Sequence, residues 1–590
     1  MSIIVQKFGG TSVADSQKIL AAARKAIRAQ KDGHQVVMVV SAMGKNTDML
    51  VGLAGELTDD PPAREMDMLL STGEQVSVAL MAMAIHSLGH EAISFTGAQI
   101  GIVTDSTHTK ARIQSISTER MKAALDAGKI VIAAGFQGID TDFNITTLGR
   151  GGSDTTAVAL AAVLEAEACE IYTDVDGVYT TDPRVVPEAR RVSRISYDEM
   201  LELASAGAGV MHNRAIEFAK KFNVPVHVRS SFSDTVGTMI VAEPESRTAA
   251  VSGAAMVKAE ARITVRGVPD RPGSALLVFS KVAARKVAMD MIVQNIGEEG
   301  HADISFTVFQ DDLQQALRAV EEAVEELGAE GVTFDDDLSK VSVVGLGMVD
   351  QSGVARKMFR SLADHDINIQ MISTSEIKIS VLVPKDVGAA ALRAVHNSFG
   401  LDLEPEQVEE PAETGAEVHQ DPEEIVRQVE RMEDLIIDDI TLDTTQSRVT
   451  ANGLPDLPGL AASLFEQLSM SEINVDMIVQ DSGRDGRANI TATVPRTELN
   501  NAVRSVAGLT ESVGCLAPSS SPEVAKLSVF GIGMKSHSGV AERMFRSLTE
   551  AGINAEMIST SEVRVNAVVD GALGEKAFEA LKQEFAEEIM

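Results

Sequence analysis

The chain has 590 residues, with 86 acidic against 52 basic side chains and a formal charge of −34 near neutral pH. A long-range field of that sign repels polyanions, which argues against nucleic acid or a membrane surface as partner. At about 100 to 200 residues per domain the length predicts three to five domains, and an apolar content of 44% suits a globular protein.

The only cysteines are Cys169 and Cys515. They are too few for a disulfide framework or a cysteine metal site and fit a reducing compartment. The first ten residues lack a basic region followed by an apolar run, so no signal peptide is expected. No stretch approaches 18 uninterrupted apolar residues. The expectation is a cytoplasmic protein without a membrane span.

In chain order, the apolar run Ile3 to Val5 enters Gln6-Lys7-Phe8-Gly9-Gly10-Thr11-Ser12, and a helical pattern follows from Asp15 to Gln30. Strand, glycine loop and helix succeed one another. Val36 to Val40 runs into Ser41-Ala42-Met43-Gly44, and Ile130 to Ala134 into Gly135-Phe136-Gln137-Gly138. Continuous apolar strands alternating with helices predict an α/β fold with a largely parallel sheet covered on both faces. Ligands of such sheets sit beyond the carboxyl ends of the strands, where these loops gather. Lys7 beside two glycines can meet a phosphate as a point charge, although the pair of glycines is not a P-loop.

Arg64 to Gly89 reads as a helix interrupted at Ser71-Thr72-Gly73-Glu74, with Glu74 either a solvated acid at a helix start or a site residue. His86 and His90 are four apart with no clear third ligand, so they read as structural and not metallic. Leu148 to Thr156, Leu-Gly-Arg-Gly-Gly-Ser-Asp-Thr-Thr, precedes a long apolar helix pattern. Glycines admit close backbone approach, Ser153 or Asp154 can cap the helix, and a helix start favours anions. Arg150 adds a fork suited to carboxylate or phosphate. Taken alone, the stretch reads equally as a glycine turn capping a core helix. Cys169 to Tyr172, a short strand, leads into Thr173-Asp174-Val175-Asp176-Gly177-Val178-Tyr179-Thr180-Thr181-Asp182-Pro183-Arg184, a loop able to address ribose, base and phosphates.

From about Ser252 the alternation shortens and a duplication appears. Asp270-Arg271-Pro272-Gly273 matches Asp456-Leu457-Pro458-Gly459, Met289 to Gln294 matches Val475 to Gln480, and Gly345-Leu346-Gly347-Met348 matches Gly531-Ile532-Gly533-Met534. Ile372 to Glu376 matches Ile558 to Glu562. Every pair is offset by 186 residues, from 456 − 270 to 562 − 376. Each unit holds two β-turn-helix-β modules. Between the units, Glu404 to Glu433 is rich in Glu, Pro, Gln and Ala and reads as a solvated linker with one short helix from Asp421.

The three blocks at Lys7 to Ser12, Leu148 to Asp154 and Tyr172 to Tyr179 resemble, in order and spacing, the aspartate kinases of the amino acid kinase family. The resemblance extends through Val40 to Gly44, Ser71 to Glu74, Asp182-Pro183-Arg184 and Val226 to Ser231, and the repeated modules are similar to ACT domains. It implies an amino acid kinase domain over 1–245, a first ACT pair over 246–403, an acidic linker over 404–433 and a second ACT pair over 434–590. It further implies ATP-dependent phosphorylation of the L-aspartate β-carboxylate, the entry to lysine, threonine and methionine synthesis, with Mg²⁺ brought by ATP.

On the family pattern Lys7 stabilises the transferring phosphoryl group, Phe8, Gly9 and Gly10 line the phosphates, and Asp154 organises Lys7 or the metal. Ser41, Thr47, Glu74, Arg150, Gly151, Gly152 and Ser153 hold aspartate, with Arg150 on its α-carboxylate and Glu74 on its ammonium. Thr173, Asp174, Tyr179, Arg184, Val210 and Met211 line the nucleotide. Many relatives carry a lysine at the position of Gly209.

Lysine and threonine are the implied effectors. In the first pair Asp270, Ser274, Gln294 and Asn295 are expected to face Asn368, Ile369, Thr374, Ser375 and Glu376. Their counterparts are Asp456, Gln480, Asp481, Asn554, Ala555, Thr560 and Glu562. The exchange of Asn295 for Asp481 replaces an amide by an acceptor-only carboxylate. A homodimer through the ACT domains is expected. Two competing readings are a kinase for a related amino acid such as glutamate and a catalytically dead kinase fold serving as an amino acid sensor.

Overall fold

The structure, a computed structural model of the chain, describes residues 1–296, 300–349, 351, 353–405, 435–481, 486–534 and 539–589. The expected acidic linker falls outside them from residue 406 onward, as does its short helix. The side chains of Asn295 and Asp481 also lie outside the described set.

The N-terminal half is built on strands β1 (Ile3–Phe8), β2 (Gln35–Val40), β3 (Ala92–Phe95), β6 (Ile130–Ala134), β9 (Ala168–Thr173), β10 (Arg194–Ser196), β11 (Val226–Ser230) and β12 (Thr238–Val241). They form one eight-stranded sheet in the order β10-β12-β11-β9-β1-β2-β6-β3. Only the β11–β12 contact is antiparallel. Every residue of β6 and all but the first of β2 are buried, as expected of strands covered on both faces. A smaller sheet, β4 (Ile102–Thr104), β5 (Ile113–Ile116), β7 (Gln137–Ile139) and β8 (Ile145–Thr147), lies on one side.

Helix α1 (Ser16–Lys31) starts where the Asp15 carboxylate accepts the Lys18 N–H at 2.9 Å. After α2 (Asn46–Gly55) and the long α3 (Ala63–Ser87) come α4 (Glu119–Asp126) and α5 (Gly152–Val163), the last apolar on all sides and almost wholly buried. Helix α3 runs without the interruption expected at Ser71 to Glu74. The polar tetrad is absorbed because Ser71 and Thr72 return their hydroxyls to the carbonyls three residues back, at 2.9 and 2.7 Å. By length and apolarity alone α3 passes for a membrane span, yet Asp67 and Glu74 within it are buried and hydrogen-bonded inside the domain.

The C-terminal half follows the duplication, but not the pairing expected from it. Each half of the repeat was expected to close on itself, with Asp270 opposite Asn368. Instead the modules exchange partners between halves. Asn554 donates to Asp270 at 2.6 Å, and its counterpart Asn368 donates to Asp456 at 2.8 Å. Gln294 reaches the Ala555 carbonyl and Gln480 the Ile369 carbonyl, both at 2.9 Å. The helix rings agree: Phe279 meets Phe545 at 5.4 Å between centroids, and the equivalent Phe465 meets Phe359 at 5.2 Å. The first module therefore pairs with the fourth, and the second with the third.

The reason is the inner face. β17 (Met371–Thr374) aligns antiparallel with β21 (Ile478–Asp481), which joins the second and third modules in one sheet. Met291, Met371, Met477 and Met557, one from each module, bury together with Val293, Val479, Leu382 and Val568 in a core between the two sheets. A unit folded on itself would leave this apolar face to water. At roughly 25 cal/mol per Å² of apolar surface, covering it within the chain favours the exchanged arrangement.

Candidate active site

Strands β1, β2, β6 and β9 end side by side, Phe8 opposite Val40 and Tyr172, and Val40 opposite Ala134. The loops that leave them make the site. Lys7, the penultimate residue of β1, points its Nζ at the Asp154 carboxylate at 2.6 Å, and both side chains are only 12–13% exposed. Asp154 sits in the first turn of α5, where the helix dipole favours a carboxylate. The ion pair therefore fixes an ammonium at the mouth of the sheet.

Gly9 passes so close to Lys7 that a Cβ would stand 3.5 Å from its Nζ, and its N–H donates to the Tyr172 carbonyl at 3.3 Å. At Gly10 a Cβ would lie 2.8 Å from the Ala42 carbonyl oxygen, so no larger residue fits without moving the neighbouring loop. Phe8 stacks on Tyr172 at 4.7 Å beneath the loop. Ser41 donates its N–H to the Phe8 carbonyl at 3.1 Å, which locks the second loop to the first.

Glu74 is not an exposed helix-start acid. It lies in mid-α3, 3% exposed, and accepts the Ala42 N–H at 3.1 Å. Burial pushes its pKa from the ordinary 4.5 up to about 7, against which the Ala42 hydrogen bond acts downward. Its second carboxylate oxygen is buried with no hydrogen-bond donor among the described residues. Thr47 is half-buried on α2.

The stretch Leu148 to Thr156 combines both readings of the sequence, a glycine turn that caps a core helix and a ligand loop. Gly149 and Gly151 take left-handed φ of +76° and +74°, and Gly151 is the residue that caps α5. Arg150 between them is exposed. Gly152 packs against Phe136, and Ser153 is buried against Gly135. The loop thus presents Arg150 while its flanks are held by core contacts.

The loop after β9 keeps Thr173 beside Asp174, hydroxyl to carboxylate at 3.2 Å, and Arg184 is exposed with a two-pronged contact to Asp182. Tyr179 bridges to Arg191. Met211 is buried, and Val210 spends its N–H on the Ala208 carbonyl. At Gly209 a Cβ would meet nothing within 4 Å, so the position has room for a side chain.

Three bracing residues carried no signal in the sequence. Asp67, wholly buried on α3, accepts from Thr147 at 2.5 Å and from the Thr109 N–H, with His108 at 2.7 Å. Glu170 gathers Gln6, Tyr172 and Arg229 beneath the loop that leaves β9. Arg214 bonds the carbonyls of Leu148 and Ala111. Their spacing in sequence, up to 164 residues for Gln6 and Glu170, leaves no local pattern to read.

Of the expected effector residues, Asp270, Gln294, Asn554 and Ala555 come together, and Asp456, Gln480, Asn368 and Ile369 line the equivalent pocket. Ser274 is buried at the start of the helix after Asp270. The others do not join these clusters. Thr374 is spent on joining β17 to β21, where its hydroxyl accepts the Ile478 N–H at 2.8 Å. Ser375 and Glu376 border a second cleft, and Glu376 pairs with Arg564. Thr560 borders a third cleft, and Glu562 beside it accepts from the Asn213 side chain at 2.7 Å. The exchange of module partners parts Thr374, Ser375 and Glu376 from Asp270, and the join of β17 to β21 holds Thr374 away from the Asp456 pocket.

Comparison with known proteins accords with this geometry. A model of the amino acid kinase family matches residues 2–230, and an ACT domain model matches 263–324, 341–399, 449–508 and 527–585. The aspartokinase of Pseudomonas aeruginosa is 50% identical over 412 residues, covering 69% of this chain and 100% of that protein. The aspartokinase of Corynebacterium glutamicum is 47% identical over 414 residues, with 69% and 98% covered. Among solved structures, aspartate kinase from Synechocystis superposes with a TM-score of 0.52 at 40% identity, covering 99% of this chain and 98% of that one. E. coli aspartokinase III in complex with aspartate and ADP gives 0.58 at 26% identity, covering 67% and 99%. The chain belongs to the aspartate kinases of the amino acid kinase family and carries four ACT domains in its regulatory half.

Proposed function

We propose that the kinase half transfers the γ-phosphoryl group of ATP to the β-carboxylate of L-aspartate, giving 4-phospho-L-aspartate, the first step toward lysine, threonine and methionine. The observation that carries this reading is the Lys7–Asp154 ion pair at the mouth of the parallel sheet, beside a glycine loop that admits no Cβ at Gly10. An aspartate carboxylate, with a reference pKa of ≈ 3.9, is already ionised at neutral pH and needs no general base. Catalysis then reduces to bringing two anions together and stabilising the charge of transfer.

Lys7 would meet the transferring phosphoryl oxygens, with Asp154 holding its ammonium in place. Gly9 and Gly10 let the phosphates approach the backbone at the end of β1, and Thr173, Asp174, Tyr179 and Arg184 border the nucleotide. Arg150 would grip the α-carboxylate. The buried oxygen of Glu74 would receive the substrate ammonium, with Ser41, Thr47 and Ser153 completing the pocket. Mg²⁺ would ride on the phosphates and neutralise their charge; among the described residues no three His, Cys, Asp or Glu gather as a resident metal site.

The regulatory half would bind lysine, threonine or both between paired modules, at the Asp270–Asn554 and Asp456–Asn368 contacts. E. coli aspartokinase III has been solved in complex with lysine and aspartate, at 25% identity to this chain, which supports lysine as one effector. We place the enzyme in the cytoplasm on its cysteine usage. A homodimer through the ACT domains would have to use outer surfaces, since the methionine-rich inner faces cover each other within the chain; light scattering reads the mass directly.

The test traps the acyl phosphate with hydroxylamine in parallel reactions with aspartate, glutamate and N-acetylglutamate. The β-hydroxamate of aspartate is the expected product. Turnover confined to glutamate, or an α-hydroxamate, would overturn the assignment.

A further inference from the structure

The residue that sets the aspartate-gripping loop lies outside the motifs that mark the active site. Helix α7 (Asn213–Lys221) begins directly beneath that loop. A Cβ on Gly151 would stand 2.3 Å from the Cβ of His212, the residue that caps α7, so loop and helix start are in contact. Arg214, in the first turn, sends Nη1 to the Leu148 carbonyl at 2.7 Å and Nη2 to the Ala111 carbonyl at 2.8 Å. Its planar fork thereby pins the residue two before Arg150 to the neighbouring strand lead-in. Left-handed glycines stand on both sides of Arg150, while the flanks of the loop are tied down by the Leu148 N–H on the Phe136 carbonyl and the Gly152 N–H on the Gly149 carbonyl.

The same helix start touches the regulatory half. Asn213 donates its side-chain amide to Glu562 at 2.7 Å, and the Glu562 N–H in turn donates to Glu202 on α6 (Tyr197–Ser205) at 3.0 Å. Glu562 leaves strand β25 (Met557–Thr560), while Asn554 and Ala555, which meet Asp270 and Gln294, enter it. A four-residue strand therefore spans from the contact between modules to the start of α7. Beside this bridge the two halves are parted by a cleft of about 710 Å³ bordered by Gly149, Arg150, His212 and Thr560, which leaves the loop room to shift.

We propose that Arg214 is a positioning residue for Arg150, and that the Asn213–Glu562 hydrogen bond couples it to the pairing of the first and fourth ACT modules. Movement of β25 on effector binding then changes the grip on the α-carboxylate and leaves the nucleotide loop in place. The coupling rests on the effector reading above, whereas the role of Arg214 does not.

Steady-state kinetics on the full chain tests both parts. Arg214→Ala should raise the KM for aspartate about tenfold or more, as expected for a lost charge-assisted hydrogen bond, with the KM for ATP within about twofold. Arg214→Lys should recover part of that loss, because one ammonium serves one of the two carbonyls. Asn213→Ala should retain aspartate turnover without effector, and should shrink by about fivefold the rise in aspartate KM that lysine or threonine causes, while calorimetry shows effector affinity unchanged.

Equal rises in both KM values for Arg214→Ala, or an unchanged aspartate KM, overturn the positioning role. Should that variant not fold, Arg214→Lys decides the same point by its own split of KM values. Undiminished inhibition of Asn213→Ala overturns the coupling. A parent enzyme insensitive to both amino acids sinks the effector reading and the coupling with it, and the Arg214 variants still decide the loop.

Discussion

Glu74 offers the sharpest quantitative test, because its chemistry and its burial pull in opposite directions. The carboxyl is 3% exposed and its pKa is pushed from 4.5 to about 7. A shift of that size corresponds to about 3 kcal/mol of preference for the neutral form. The unfolded chain releases this proton near 4.5 and the folded chain only near 7, so folding stability falls as pH rises between the two values and is level above. Binding an ammonium requires the ionised form. The kcat/KM for aspartate, at saturating ATP, should therefore climb about tenfold per pH unit toward 7 and then flatten. Glu74→Gln should remove this limb, lower kcat/KM by about a hundredfold at pH 8, and abolish the fall in thermal stability between pH 5 and 7. The reasoning fails if the limb persists in Glu74→Gln, since another group would then be titrating.

Lys7→Ala should cut kcat by about a hundred- to a thousandfold with aspartate binding by calorimetry nearly unchanged, as for loss of one donor to a developing anion. Gly10→Ala should raise the KM for ATP and lower the melting temperature, since its Cβ would lie 2.8 Å from the Ala42 oxygen. Gly209→Lys should fold with an unchanged melting temperature and lower the KM for ATP, because the site is open; an unchanged KM would mean that this lysine does not reach the nucleotide here. Lys378→Met removes the partner of Glu202, a pair 7% and 0% exposed at 2.7 Å. Stranding the buried carboxylate should cost about 3–5 kcal/mol in denaturant unfolding, and Glu202→Gln added to it should return part of that loss.

How much was legible depended on whether a feature was local. The loops at Lys7 to Ser12 and Leu148 to Asp154 declared themselves because glycine, charge and the switch from strand to helix fall within a few residues. The duplication was equally plain, since equal offsets survive any fold. What a repeat cannot specify is which copy packs on which: Asp270 is compatible in chemistry with Asn368 and with Asn554, and only burial of Met291, Met371, Met477 and Met557 in one core selects the second. Glu74 shows the same limit on a smaller scale. Ser-Thr-Gly-Glu reads as a break in a helix, yet three residues of this tetrad are buried in continuous α3, where Gly73 lets the helix pass against Ala42.

The exchanged pairing also means that the two equivalent module contacts, Asp270–Asn554 and Asp456–Asn368, need not act equally. A two-fold regulatory block carries one kinase domain, so the symmetry is broken where they meet. Lys378 and Arg564 are equivalent by the 186-residue offset, as are Glu376 and Glu562. Arg564 pairs with Glu376 inside the regulatory half, whereas Lys378 pairs with Glu202 of the kinase and Glu562 receives Asn213. The Asp270–Asn554 contact is linked to α7 through β25 and Glu562, and Lys220 on α7 also stands 4.8 Å from the Phe530 ring of the fourth module. The second module, by contrast, touches the kinase directly, through Lys378 on Glu202 and through His396, whose Nε2 lies 3.1 Å from the Thr180 hydroxyl. The two module contacts therefore reach the kinase at different places, the fourth module at the start of α7 through Glu562 and the second at α6 through Lys378.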